Sequence, residues 1–314
     1  MAIRMLALCR LHNFSLLRVG LSMNRRNLLK GALIGASALT LRPSFATFDA
    51  HANSVRLASL ERRYGGRLGV AILDTDSQRR VLYRANERFM MCSTFKLLLV
   101  GATLARVDHG AEQLDRRITF GLEALVSYAP ITGLHVGTPG MTVAELCRAA
   151  VTVSDGVAAN LLLKSLGGPS ALTAYARQLG DMQTRSDRYE PEMNRPAPDH
   201  VSDTTTPLGM LGDLRALMLG DALSYTSYRQ LIEWLCESKT GDGLLRAGIP
   251  VGWRVGDKTG HGNGALNDVA IVWPPQRKPL LISVYYRAPT ADDDARPSAL
   301  FAEVGRIAAA MPSS

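Results

Sequence analysis

The strand-like segments of this chain lie at its two ends, and that separation constrains the fold more than any other feature. Residues 67–74 form an apolar run of strand length, with 80–84 as a hairpin partner. The next strand-like runs are 254–258, 267–273 and 279–286, which read as a β-meander with Pro274-Pro275 and Arg277-Lys278 in its last turn. Between the two groups the apolar spacing is helical over 95–107, 143–152, 157–166, 169–179 and 207–219. Thr142 and Glu145 form a capping-box pair ahead of the second of these. Further helices are read at 57–64 and 298–310. The economical arrangement is an α/β (α+β) fold: one antiparallel sheet built from both chain ends, flanked by helices, with an all-helical domain inserted. The expected division is 47–84 with 236–314 as the α/β domain and 85–235 as the helical domain, with the active site between them.

The chain is long enough for a sizeable core at 314 residues, and its net charge of +8 invites a nucleic-acid reading. The charge is not spread evenly. Arg4, Arg10, Arg18, Arg25, Arg26, Lys30 and Arg42 fall within residues 1–46, which hold no acidic residue, so the remainder is near neutral and gives no reason to invoke phosphate-backbone binding. The basic segment has its own explanation. Arg25-Arg26, followed by Asn27-Leu28-Leu29-Lys30, is a close variant of a twin-arginine export signal. The apolar stretch after it, 31–41, is shorter than the roughly 18–20 residues that span a bilayer. Ser44-Phe45-Ala46 fits a small-residue cleavage site. The expectation is a signal cleaved near Ala46, export by the twin-arginine machinery to the periplasm and no stable membrane anchor, with either Met1 or Met23 as the start.

Removing that segment takes Cys9 with it and leaves Cys92, Cys147 and Cys236. Three is an odd number, so a disulfide framework is not expected and all three are read as free thiols. There is no C-x-x-C, and His51, His109, His135, His200 and His261 lack metal-ligand spacing; no metal and no cofactor are expected.

Four polar clusters carry the chemistry. Ser93-Thr94-Phe95-Lys96 places a hydroxyl and an amine one helical turn apart at the head of an apolar helix. An adjacent base turns a weak serine nucleophile into an effective one. Ser154-Asp155-Gly156 precedes another helix and also reads as an ordinary N-cap. Lys258-Thr259-Gly260 is placed at the end of a strand, where Gly260, Gly262 and Gly264 leave the edge bare for another chain or a ligand. Gly256-Asp257-Lys258-Thr259 misses the phosphate-binding P-loop because Asp257 intervenes between glycine and lysine. Finally, 188–203 is rich in proline and poor in periodicity. It reads as a surface loop or as a compact Ω-loop closed by an Arg188–Asp203 ion pair, with Glu190 and Asn194 able to hold a water between them.

These clusters, in this order and spacing, resemble a class A serine β-lactamase, for which S-x-x-K, S-D-N and K-T-G are characteristic. The likeness covers roughly residues 54–312. It implies hydrolysis of penicillin- and cephalosporin-type antibiotics by a monomer that needs no cofactor. Carried over by motif, Ser93 would be the acylated nucleophile and Lys96 its proton-transfer partner. Ser154 would relay a proton to the departing nitrogen. Lys258 and Thr259 would face the substrate carboxylate, and Glu190 with Asn194 would activate the deacylating water. The backbone N–H groups of Ser93 and His261 would form the oxyanion hole, and Tyr128 would line the cleft. The rival readings are a penicillin-binding D,D-peptidase, which normally lacks the Glu190/Asn194 loop, and a covalent β-lactam sensor domain. Three departures from the family pattern stand out. Gly156 replaces the usual Asn, His261 replaces a small residue or Thr, and the family's carboxylate-binding arginine has Asn267 at its matching position, with Arg287 and Arg296 as possible substitutes. Gly262 stands where some members carry a cysteine that pairs with the one preceding the nucleophile, so Cys92 has no such partner.

Overall fold

The computed structural model describes residues 50–290 and 297–312. The export segment expected at 1–46 lies outside them, as does Arg296.

The chain enters through α1 (Ala50–Tyr64), then forms the hairpin of β1 (Arg67–Asp74) and β2 (Arg80–Tyr83). A short strand, β3 (Phe89–Met90), leads to the central helix α2 (Phe95–Asp108). After β4 (Arg117–Ile118) and β5 (Met141–Thr142) come α3 (Val143–Thr152), α4 (Gly156–Leu166) and α5 (Pro169–Gln178). Then follow β6 (Thr204–Thr205), α6 (Pro207–Leu219) and α7 (Tyr225–Cys236). The chain closes with β7 (Arg254–Gly262), β8 (Ala265–Trp273), β9 (Leu280–Arg287) and α8 (Ser298–Ala309).

The two ends do build one sheet. Its order is β2-β1-β9-β8-β7, and every neighbouring pair is antiparallel. Both faces are covered, which is why β1, β8 and β9 read as continuous apolar runs rather than alternating ones. Leu68, Val70 and Ile72 of β1 pack with Ile282 and Val284 of β9 against Leu57 of α1 and Phe301 and Val304 of α8. The intervening residues Ala71, Leu73, Leu281 and Tyr285 face the other way, into the core made with α2, α3, α4, α6 and α7. Each fully buried aliphatic or aromatic side chain of these layers contributes about 1.5–3 kcal/mol.

Four details differ from the sequence reading. The segment between the two strand groups also holds two short strand pairs, β3 with β6 and β4 with β5. Helix α7, capped by the Ser224 side chain, was not evident from periodicity alone. Helix α1 starts at Ala50, seven residues before the expected start. Strand β7 runs on to Gly262 because Asn263-Gly264 makes a tight turn, both residues at positive φ (45° and 74°). Lys258-Thr259-Gly260 therefore sits inside a strand, not at its end.

The capping box at the head of α3 is formed. Thr142 Oγ1 accepts from the Glu145 N–H at 3.1 Å, and Glu145 Oε2 accepts from the Thr142 N–H at 2.7 Å. The 188–203 segment is closed as an Ω-loop. Arg188 Nε donates to Asp203 Oδ2 at 2.6 Å, and Asp203 Oδ1 accepts from the backbone N–H groups of Asp187 and Arg188. Asp203 is fully buried.

Replacing Asp203 by Ala leaves these donors unpaired. About a third of the Arg188 side chain still reaches solvent. The expected loss is therefore about 2 kcal/mol in urea unfolding, less than for a fully buried pair; a loss under about 0.5 kcal/mol would show that the loop closes without this contact. Cys92, Cys147 and Cys236 are free, and burial pushes the Cys92 thiol up to about 12. Chain from residue 47 onward should give three titratable thiols once denatured without reductant, with Cys92 unreactive before unfolding. A count of one would mean that two of them are bridged.

Candidate active site

Ser93 lies in a single 3₁₀ turn, Cys92–Thr94, that runs directly into α2. The turn is held in place by tertiary packing. Thr94 Oγ1 donates to the Met91 carbonyl at 2.8 Å. Asn267 Nδ2 donates to the Met90 and Met91 carbonyls at 2.9 and 3.0 Å. Cys92 adopts φ of +43°, a conformation that a non-glycine residue keeps only when its surroundings impose it. Gly260 supplies part of that surrounding. A Cβ there would lie 2.7 Å from the Met91 carbonyl oxygen, so the bare edge read from the sequence is used by the chain's own nucleophile segment.

In the first turn of α2, Lys96 is fully buried. Its ammonium lies 2.7 Å from Glu190 Oε1 and donates to the Ser154 carbonyl at 2.7 Å and to Ser154 Oγ at 3.3 Å. Ser93 Oγ donates to the same Glu190 Oε1 at 3.3 Å. The carboxylate therefore touches both members of the Ser–Lys pair. Glu190 is fixed from behind by Asn160 of α4. The Asn160 Nδ2 donates to the Glu190 carbonyl at 2.8 Å, and the Glu190 N–H donates to Asn160 Oδ1 at 2.9 Å. Asn194 Oδ1 is buried beside the cleft and has no hydrogen-bond partner among the described residues.

Ser154 also sits at positive φ, +62°. Asp155 follows as the N-cap of α4, accepting from Ala158 N at 2.9 Å. Its two oxygens also accept from the Ile131 and Thr132 N–H groups and the Thr132 hydroxyl. The Gly156 N–H donates to the Tyr128 carbonyl at 2.9 Å. These bonds bolt the 128–132 segment to the head of α4 and place Tyr128, half exposed, on the cleft rim. Both readings of Ser154-Asp155-Gly156 are thus realised in one segment, the cap by Asp155 and the cleft hydroxyl by Ser154. A Cβ at Gly156 would lie 2.8 Å from Glu190 Oε2 and 2.9 Å from Val126 Cγ2. The space beside this glycine is taken by the carboxylate.

Across the cleft, Lys258 of β7 is fully buried and donates to Ser154 Oγ at 3.1 Å and to the Thr259 carbonyl at 2.8 Å. Burial, reinforced by the nearby Lys96 ammonium, pulls its amine down to about 7. Behind it, burial raises the carboxyls of Asp257 and Asp268, the former against the Arg246 guanidinium beside it. Thr259 Oγ1 donates to Thr240 Oγ1 at 2.6 Å.

These groups converge on a cavity of about 470 Å³ lined by Ser93, Tyr128, Ser154, Glu190, Asn194, Thr240, Gly243, Leu244, Thr259, His261, Leu266 and Ser298. The site residues expected from the sequence are therefore brought together, with Lys96 and Lys258 beneath the surface. Asn267 is not among the lining residues. Its amide is spent on the nucleophile segment, and pleat alternation puts Leu266 into the cleft in its place. Arg287 lies outside the lining too, donating to the Asn263 carbonyl. Among the described residues no arginine faces the cavity. Thr240, Leu244, Leu266 and Ser298 were not singled out from the sequence. They come from loops, a strand and a helix start far apart in the chain and form no local pattern. Asn160 lies within the expected helix 157–166, but its brace on Glu190 shows only in three dimensions.

A nucleophile-bearing turn, two buried amines sharing one hydroxyl and a carboxylate presented by an Ω-loop are paralleled among known proteins. Residues 53–311 match the β-lactamase enzyme family. Beta-lactamase OXY-1 of Klebsiella oxytoca is 42% identical over 87% of this chain and 94% of its own length. Beta-lactamase FAR-1 of Nocardia farcinica is 46% identical over 81% of this chain and 80% of its own. Among solved structures, an ancestral class A β-lactamase superposes with a TM-score of 0.78 at 60% identity, covering 81% of this chain and 98% of that one. With the family matched over nearly all of the described residues and the site geometry in place, the chain belongs to the β-lactamase enzyme family and, within it, to class A.

Proposed function

We propose that this β-lactamase works through Ser93 as the acylated nucleophile and Glu190 as the base that prepares water to release the acyl group. The observation that carries this reading is the single oxygen, Glu190 Oε1, lying 3.3 Å from Ser93 Oγ and 2.7 Å from Lys96 Nζ. A carboxylate in that position can take a proton from serine or water, and the buried ammonium can return it. Ser154 Oγ, within reach of both Lys96 and Lys258, is placed to pass a proton to the lactam nitrogen as the ring opens. Asn194, whose buried Oδ1 has no partner among the described residues, orients the water that Glu190 deprotonates. The backbone N–H groups of Ser93 and His261 take the charge that develops on the carbonyl oxygen.

Lys258 and the Thr240–Thr259 hydroxyl pair hold the substrate carboxylate, in a cleft whose described lining contains no arginine. Substrate preference is set around them by Tyr128, Gly156, His261 and Leu266. Export through the twin-arginine route to the periplasm fits this chemistry, since the antibiotics act on the cell wall. Its support is the sequence around Arg25-Arg26 alone.

Turnover of a chromogenic cephalosporin tests the reading. Glu190→Ala should accumulate an acyl-enzyme visible as a lasting mass increment, with kcat reduced about a thousandfold. Ser93→Ala should form no adduct. A single stoichiometric burst from the unmodified protein would point to a peptidase or sensor instead, and undiminished turnover in Glu190→Ala would remove that residue from the mechanism.

The Lys258 amine gives a pH prediction with a definite sign. Its charged form attracts the substrate carboxylate, and in the free enzyme that form is lost as pH rises through about 7. kcat/KM should therefore fall on the alkaline side of neutrality. A bound carboxylate favours the ammonium, so kcat should decline only at higher pH. In Lys258→Arg the guanidinium stays charged, and the alkaline decline in kcat/KM should disappear. An unchanged alkaline limb in that variant would assign the decline to another group.

Gly156→Ala places a methyl group against Glu190 Oε2 and Val126. Pushing the carboxylate aside should slow deacylation by about tenfold or more while acylation still proceeds. Pre-steady-state mass analysis separates the two steps, and an unaltered deacylation rate would show that Glu190 has room to move.

A further inference from the structure

A second cavity, about 240 Å³, lies between the ends of strands β1, β8 and β9 and the Ω-loop. Its walls include Arg67 of β1, Arg88 just before β3, Arg287 of β9 and, from the loop, Ala197, His200 and Ser202. Arg67 and Arg287 stand directly opposite each other in the β1–β9 pairing. Like charges at directly opposed positions of an antiparallel pair destabilise the sheet unless something of opposite sign lies between them.

Among the described residues the chain supplies little of that. Arg67 Nη1 donates to Glu87 Oε2 at 3.0 Å, and this carboxylate is shared with Arg84. Arg67 Nη2 donates to the Arg88 carbonyl at 2.7 Å. Arg88 spends its donors on neutral acceptors, the Gln183 carbonyl and side-chain oxygen and Thr204 Oγ1. Arg287 Nη1 donates to the Asn263 carbonyl. Among the described residues neither Arg88 nor Arg287 forms an ion pair. Asp199, the acid next to His200, is turned to Val201 N, Ser202 N and Ser202 Oγ. Three guanidiniums and a histidine thus border one cavity, and among the described residues one shared carboxylate, Glu87, pairs with them, through Arg67.

We propose that this cavity binds a small multivalent oxyanion of the phosphate class between Arg67, Arg88 and Arg287. Planar guanidinium forks match the geometry of such an oxyanion and can engage it through paired N–H donors. The walls come from the ends of these strands and from the Ω-loop, so an occupant cross-links the two. Arg287 also braces the turn whose Asn263 Nδ2 donates to the Asn194 carbonyl at 2.6 Å, which brings the cavity's wall to the support of the catalytic loop.

Inorganic phosphate titrated into the whole protein at constant ionic strength tests this, with Ser93 capped by a boronic acid so that the catalytic cleft is closed. Calorimetry should show one saturable site, and Tm should rise with phosphate concentration as expected for a ligand of the folded state. Arg287→Gln and Arg88→Gln should each weaken binding by about tenfold or more. Lys258→Ala should leave it within about twofold, because Lys258 lies beneath the catalytic cleft and does not line this cavity. Chromogenic cephalosporin turnover, measured separately without the boronic acid, reports on the catalytic reading. The proposal is overturned if the capped protein takes up no phosphate beyond the effect of equal ionic strength of chloride, or if Lys258→Ala abolishes binding while the arginine variants retain it.

Discussion

The fold is organised around one buried ammonium. Lys96 sits in the first turn of a helix that is covered on all sides, with no exposure of its own. A charge taken out of water at such a position costs several kcal/mol unless partners surround it. The partners here come from two other stretches, the Ser154 segment ahead of α4 and Glu190 of the Ω-loop. Three distant pieces of chain are drawn to one point by the need to keep that charge satisfied. The Arg188–Asp203 contact and the Asn160 brace then fix the Ω-loop in the only place where it can serve as that partner.

The second amine shows the same physics from the opposite side. Lys258 shares Ser154 Oγ with Lys96, and burial together with that like charge drives its proton off near neutrality. The cleft between them is short of negative charge, and an incoming carboxylate restores the balance. Binding and charge compensation are one event here, which suits a site whose described lining contains no arginine.

What the sequence made legible followed from how local each signal is. Ser93 and Lys96, or Thr142 and Glu145, are neighbours through a single helical turn, so spacing alone places them. The two-ended sheet was legible because β1, β8 and β9 are buried on both faces and leave long apolar runs. Lys258 was put at a strand end because the Gly260, Gly262 and Gly264 alternation obscured the Asn263-Gly264 turn, the real terminus of β7. Asn267 was matched to an arginine by counting along the chain. Which of two adjacent strand residues faces a cleft is decided by pleat, and that made Leu266 the lining residue. Thr240 and Ser298 reach the cleft through loop and helix placements that no short motif encodes, and Asn160 acts on Glu190 across thirty residues of sequence.

Gly156 has a consequence for how this enzyme can change. The volume that a side chain would need at this position is held by the Glu190 carboxylate and by Val126. A side chain introduced here must displace the Glu190 carboxylate or the Val126 methyl group. Such a step is eased in a background where Val126 has shrunk or the Ω-loop has shifted. Such dependence on genetic background makes the order of substitutions matter.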